Sequence, residues 1–132
     1  MPKVNRERGA AAVEFAILLP LLAMLMVAIM EFGYAFFLQA SVASAARVGV
    51  RSYAINWNDP AKGPTSVATA TSLAKAALPT TSAPVTSVTV TPCQTANQTT
   101  MTLVYKYRSL TGMIDGLLGD ISLTGKGSME CT

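Results

Sequence analysis

The residues with most chemical meaning stand near the start of the chain. Arg8-Gly9-Ala10-Ala11-Ala12-Val13-Glu14-Phe15 places a carboxylate just inside an apolar run, directly after a glycine and a short basic stretch. A charge near the bilayer interior costs about 2.5–3.5 kcal/mol on insertion scales, so a compensating group is expected. A cut between Gly9 and Ala10 would supply one, because the new α-amino group on Ala10 is cationic near neutral pH. In a helical assembly, Glu14 of one subunit would then pair with the Ala10 amine of its neighbour. The pair would satisfy both charges in lipid or in a dry filament core and would set the axial register. The plainer alternative is a glutamate that snorkels to the membrane edge.

A second pair of reactive residues, Cys93 and Cys131, lies in the C-terminal half. There is no CxxC and no histidine, and two thiols alone cannot close a tetrahedral zinc shell. A disulfide suits an exported segment, and on the chain-entropy account the bridge would be worth roughly 4 kcal/mol. Two free buried thiols are the alternative. The missing histidine also removes the usual base of a Ser or Cys nucleophile, and no phosphate-binding G-x-x-x-x-G-K-[ST] loop is present, so an enzyme is not expected. Asp115, Gly116, Gly119 and Asp120 lack the ligand spacing of a calcium loop and read as a turn. The Asn97-Gln98-Thr99 sequon reads as a chance match in a Thr-rich loop. No cofactor is expected.

Charge is segregated along the chain. Ten basic and seven acidic residues give a formal +3, but residues 10–46 contain only Glu14 and Glu31 as charges. Lys3, Arg6 and Arg8 supply much of the excess; beyond residue 9 the balance is seven basic against six acidic. That is a topogenic signal rather than a nucleic-acid surface. It places the N-terminus in the cytoplasm and the C-terminal part outside it.

These residues must be positioned by a small set of elements. The apolar run from Ala10 through Ala40 exceeds the roughly 20 residues that span a bilayer core. It is too long for a cleaved secretory signal, and Glu14 and Pro20 interrupt it. Helical spacing then continues without a breaker to about Tyr53. Such a helix would rise roughly 65 Å at 1.5 Å per residue, so its second half must stand above a core only about 30 Å thick. The small residues Ala40, Ser41, Ala43, Ser44, Ala45 and Ala46 permit close approach of a helix or sheet. Pro20 leaves the Ala16 carbonyl without its helical partner, which is either a weak point for bending or a tolerated membrane-helix proline. Glu31, near the outer end of the span, reads as a solvated interface residue or a partner for a basic residue on another subunit. Arg47 and Arg51 read as a solvated face or as partners of Asp115, Asp120 or a neighbour.

Beyond the helix, residues 56–66 form a loop by composition, and Val67 to Leu78 a short helix ended by Pro79. The pattern then switches to period two: Val88 and Val90; Met101, Leu103, Tyr105 and Tyr107; Ile121 and Leu123. Three strands imply a small antiparallel sheet whose apolar face the projecting half of the long helix would cover. Cys93 and Cys131 would then end the outer strands, where a bridge could staple them. The expected class is α+β: a leader at 1–9, a transmembrane and assembly helix at 10–55, and a small extracytoplasmic domain at 56–132.

The stretch RGAAAVEFAILLPLLAMLMVAIMEFGYAFF, followed by AARVGVR, closely resembles the TadE-like minor pilins (pseudopilins) of the tight-adherence, or Flp, pilus system. The resemblance is specific over roughly residues 8–52 and weak beyond. It implies cleavage by a prepilin peptidase between Gly9 and Ala10, with Glu14 at mature position five, and an assembly helix that includes Phe15, Pro20 and Glu31. It further implies a bacterial inner-membrane protein that initiates or caps a pilus used in cell adhesion. The partners implied are the peptidase, other minor pilins, the major pilin, an inner-membrane assembly platform and the lipid bilayer, with no nucleic acid. The competing reading is a permanently membrane-anchored periplasmic binding module or assembly factor, for which the helix is an anchor alone.

Overall fold

A computed structural model describes residues 6–63, 66–79, 85–94, 97–112, 115–116 and 119–131, with side chains described from Gly9 onward. Lys3, the connector at 80–84 and the side chains of Arg6 and Arg8 lie outside the described residues. The element order is α1 (Arg6–Asn56), α2 (Ser66–Ala76), β1 (Val85–Thr91), β2 (Gln98–Lys106) and β3 (Ser122–Glu130). This is the expected α+β arrangement of a long apolar helix, a short helix and a three-stranded antiparallel sheet. The chain divides into two units, Met1–Gly33 and Tyr34–Thr132.

The first unit is helix alone. Residues from Gly9 to Met30 are exposed or half-buried on every side, and the most apolar window has a mean hydropathy of 2.5 with none of it buried. A helix that is apolar all round has no preferred face for water and suits lipid. The helix continues through Pro20.

In the second unit the same helix becomes sorted. Leu38, Val42, Ala45, Ala46, Gly49, Val50 and Tyr53 are buried, while Ser44, Arg47, Val48, Arg51 and Ile55 are exposed. Steps of three and four place the buried set on one face. That face covers β2, whose Met101, Leu103 and Tyr105 point inward and alternate with half-buried positions. Ala70 and Ala74 of α2 join the same core. Fully burying a side chain such as Leu103 is worth about 1.5–3 kcal/mol.

The sheet order is β1-β2-β3, with Val90 opposite Met101 and Leu103 opposite Gly125. Each strand is longer at one end than the period-two pattern indicates, and β3 most so. It runs on through Gly125-Lys126-Gly127 to Glu130, and Ile121 falls just before it. The glycines have a tertiary reason. A Cβ on Gly125 would stand 2.5 Å from the Val42 carbonyl oxygen, and one on Gly127 would stand 2.8 Å from the Ala46 carbonyl. Gly49 likewise leaves room for the Met101 sulfur and Ala74. The small-residue stretch of α1 is therefore met by a small-residue strand.

Contacts along this part of α1 follow a regular order. Tyr34 and Tyr107 have ring centroids 6.3 Å apart. Gln39 Nε2 donates to the Thr124 carbonyl at 3.1 Å. Val42 then meets Gly125, and Ala46 meets Gly127. The β2–β3 connection thus emerges beside Tyr34, where the second unit begins. The Cys93–Cys131 disulfide closes the opposite end of the sheet, tying the two outer strands across β2 with a Cα–Cα distance of 5.8 Å. Its sequence separation of 38 corresponds to about 4 kcal/mol on the chain-entropy account.

Candidate functional site: an apolar helix surface with one buried and one exposed glutamate

The described residues hold no group of three or more metal-ligating side chains. What the sequence offers instead is a surface. Val13, Phe15, Ile17, Leu18, Leu21, Leu22, Met24 and Leu25 all stand outside any packed interior. A monomer in water rarely presents so much contiguous apolar area, so the surface is made for lipid or for another chain. Leu and Met favour helix, and the stretch from Ala10 contains no run of β-branched residues to oppose it.

Gly9, Ala10, Glu14, Phe15 and Pro20 all lie on this one helical surface and are all exposed. A Cβ on Gly9 would meet nothing within 4 Å. The glycine is therefore not required by packing, and the Gly9–Ala10 bond is not enclosed by the fold. Glu14 is four residues from Ala10, one turn along the same face. Its carboxylate is set among exposed apolar side chains rather than in a core.

Glu31 departs from its expected place as a solvated interface residue. It is 1% exposed and is engaged rather than bare. By helix periodicity Glu31 shares a face of α1 with Leu38 and Val42, seven and eleven residues on, which are buried too. The sequence reading missed this because Glu31 has apolar neighbours on all sides in the chain. Only its register with Leu38 and Val42 distinguishes it.

Arg47 and Arg51 are exposed. The acids suggested as their partners are occupied elsewhere. Asp120 Oδ2 accepts from Lys106 Nζ at 2.8 Å, and the Asp115 carboxylate accepts the Ser109 amide at 3.1 and 3.3 Å. A neighbouring subunit remains the alternative for the two arginines. In the sequon, Thr99 is fully buried and its hydroxyl donates to the Thr91 carbonyl at 2.6 Å. Its hydroxyl holds strand β2 to the end of β1.

Among the described residues, Asp59 titrates below its ordinary value. The Ala61 amide donates to the Asp59 carboxylate at 2.9 Å and lowers its pKa, with Lys62, 3.6 Å away, acting in the same direction.

No curated protein and no solved structure matches the chain. Residues 9–51 match the family model described as TadE-like protein; over the helix that carries Gly9, Glu14 and Glu31 the chain is similar to that family.

Proposed function

We propose that the chain is a minor pilin or pseudopilin of a tight-adherence pilus, processed by a prepilin peptidase after Gly9 and acting in pilus initiation or capping. The reading assigns no reaction to the chain itself, which is the substrate of a protease. The observation that carries it is the position of Gly9, Ala10 and Glu14 on one fully exposed, uninterrupted apolar helix, inside the segment that matches the TadE-like family. Single-pass insertion follows from the same helix, which is long and apolar enough to cross a membrane. The basic residues Lys3, Arg6 and Arg8 orient it with the N-terminus in the cytoplasm. Among the described residues Glu14 has no ion-pair partner, and the Ala10 amine of an adjacent subunit is the compensating charge that processing creates.

The presence of a core-bearing C-terminal unit with its own disulfide favours a minor role over a shaft subunit. Other minor pilins, the major pilin and the assembly platform are the partners of that role. The test is a tagged copy expressed in piliated cells, with Glu14→Ala beside it. The proposal expects the tagged wild type to co-purify with sheared pili or with their assembly complex, and expects Glu14→Ala to insert normally but fail to support piliation. Normal piliation with Glu14→Ala removes the pairing role. A copy whose residues 10–40 are replaced by an unrelated membrane span tests the anchored-module alternative, which predicts retained function.

A further inference from the structure

The two outer strands of the sheet end differently. Met101 and Leu103 of the central strand are fully buried, but the β1 valines beside them, Val90 and Val88, stay half-buried. Among the described residues no strand pairs with the far side of β1. The short helix α2 does not take that side: its Ala74 lies against Gly49 and Met101, over the inner face of the sheet. The opposite outer strand is guarded. Gln39 Nε2 donates to the Thr124 carbonyl of β3, Gly125 and Gly127 lie against α1, and Lys126 and Glu130 are exposed charges. β1 is a run of Val, Thr and Ser with no charge, proline or glycine. Valine and threonine favour strands, and an outer strand without such guards is a template for another.

We propose that the far side of β1 pairs with β1 of a second copy of this chain, antiparallel about Thr89, joining two three-stranded sheets into one. Backbone direction sets the register. The Thr91 carbonyl accepts from the Thr99 hydroxyl of β2 at 2.6 Å, so Thr91 turns toward β2. Direction alternates along a strand, so Thr89 turns the same way, while Val88 and Val90 turn their amides and carbonyls outward. With the centre at Thr89, Val88 of each copy stands opposite Val90 of the other, and the two exchange hydrogen bonds. Thr89 meets Thr89, and Ser87 meets Thr91. Valine then faces valine on the half-buried side, and hydroxyl faces hydroxyl on the exposed side, both favourable cross-strand pairs. A centre at Val88 would set Val90 against Thr86. A centre at Val90 would set Val88 against Pro92, which has no amide to donate. The strand is thus complementary to itself, and a two-fold pairing uses the same edge on both copies. With no charge in β1, nothing repels the second copy.

The test places one added cysteine at a time in the full-length protein in detergent: Thr89→Cys, Ser87→Cys and, on the opposite outer strand, Lys126→Cys. The native cysteines are already joined to each other. In the proposed register the two Thr89 residues form a non-hydrogen-bonded pair with Cα atoms about 4.5 Å apart, inside the range of about 4.4–6.8 Å that a disulfide spans. The two Ser87 residues would stand four positions apart along the strand, roughly 13 Å. Mild oxidation should give a covalent dimer from Thr89→Cys and none from Ser87→Cys or Lys126→Cys. In the unsubstituted protein, amide exchange at Val88 and Val90 should be as slow as at Thr89 and Thr91. Thr89→Lys, which sets like charges opposite each other, should abolish that protection at Val88 and Val90 while the Cys93–Cys131 bridge still forms. Equal dimer from all three cysteines, as chance collision or association through the apolar helix would give, overturns the proposal. So does fast exchange at Val88 and Val90 in the unsubstituted protein. Slow exchange there without the Thr89→Cys dimer means that a different strand holds the edge, and it overturns the second copy as the occupant.

Discussion

The two halves of the long helix bury their residues differently, and the contrast explains most of the molecule. Before Gly33 the helix has apolar residues on every side and buries almost none of them within the chain. After Tyr34 it keeps an apolar face and exposes Ser44, Arg47 and Arg51 on the other. The first half must find its stabilising contacts outside the chain. The second half makes its own, through a core with α2 and the sheet and a disulfide across the outer strands. A continuous helix therefore does not mean a continuous pattern of burial; the sorting into a buried and an exposed face sets in after Gly33.

The strongest way to break this contrast is to remove the covalent tie from the self-sufficient half. Replacing Cys93 and Cys131 by serine should lower the stability of the C-terminal unit by about 4 kcal/mol, read from urea unfolding followed by tyrosine near-UV circular dichroism in detergent. Helix content from residues 9–33 should persist through that transition. An equal loss in both regions would mean that they unfold as one, and the contrast would fail.

A matched pair of truncations sharpens the comparison. Leu103→Ala removes a fully buried side chain and should cost about 2–5 kcal/mol. Leu22→Ala removes an exposed one and should leave the unfolding midpoint of the C-terminal unit unchanged while weakening membrane retention.

Glycine substitutions act at the next level. Gly125→Val forces a side chain toward the Val42 carbonyl and should destabilise by about 1–3 kcal/mol or more. Gly116→Ala, where nothing lies within 4 Å of the new Cβ, should behave as wild type in the same unfolding experiment.

The smallest expected effect is electrostatic. Asp59 has a lowered pKa in the folded protein because the Ala61 amide donates to it. A group with a depressed folded pKa contributes stability above its ordinary value of 3.8, and that contribution disappears as the pH falls through the folded value. Asp59→Asn should therefore lower the melting temperature slightly at neutral pH, where the contribution is fully present, and flatten the shallow acid-side slope, so that the two proteins converge at low pH.

Much of this was legible in the residues, and the illegible parts have identifiable causes. The alternation Met101-Leu103-Tyr105-Tyr107 signals a strand with one buried face because strand side chains alternate strictly. The cysteines are found where strand ends were expected, and they pair. The last strand is found to run up to Cys131, as expected, although its Gly125-Lys126-Gly127 stretch lacks the period-two pattern and glycine is unfavourable in a strand on local grounds. Its justification is the close approach of Val42 and Ala46, which no local window contains. Glu31 was misplaced for a related reason: depth in a membrane span was inferred from position along the chain, whereas burial depends on which helix face is covered. Arg47 and Arg51 could be assigned to an exposed face, but the acids proposed for them have nearer donors in Lys106 and the Ser109 amide. That residues 10–30 stand exposed on every side was legible, since no polar face recurs there at helical spacing.

Intact-mass measurement of the protein extracted from membranes of cells containing the peptidase tests the central claim most directly. The account predicts a chain beginning at Ala10, so that the freed amine stands one helical turn from Glu14. A mature protein that still carries Gly9 and the residues before it would contradict it.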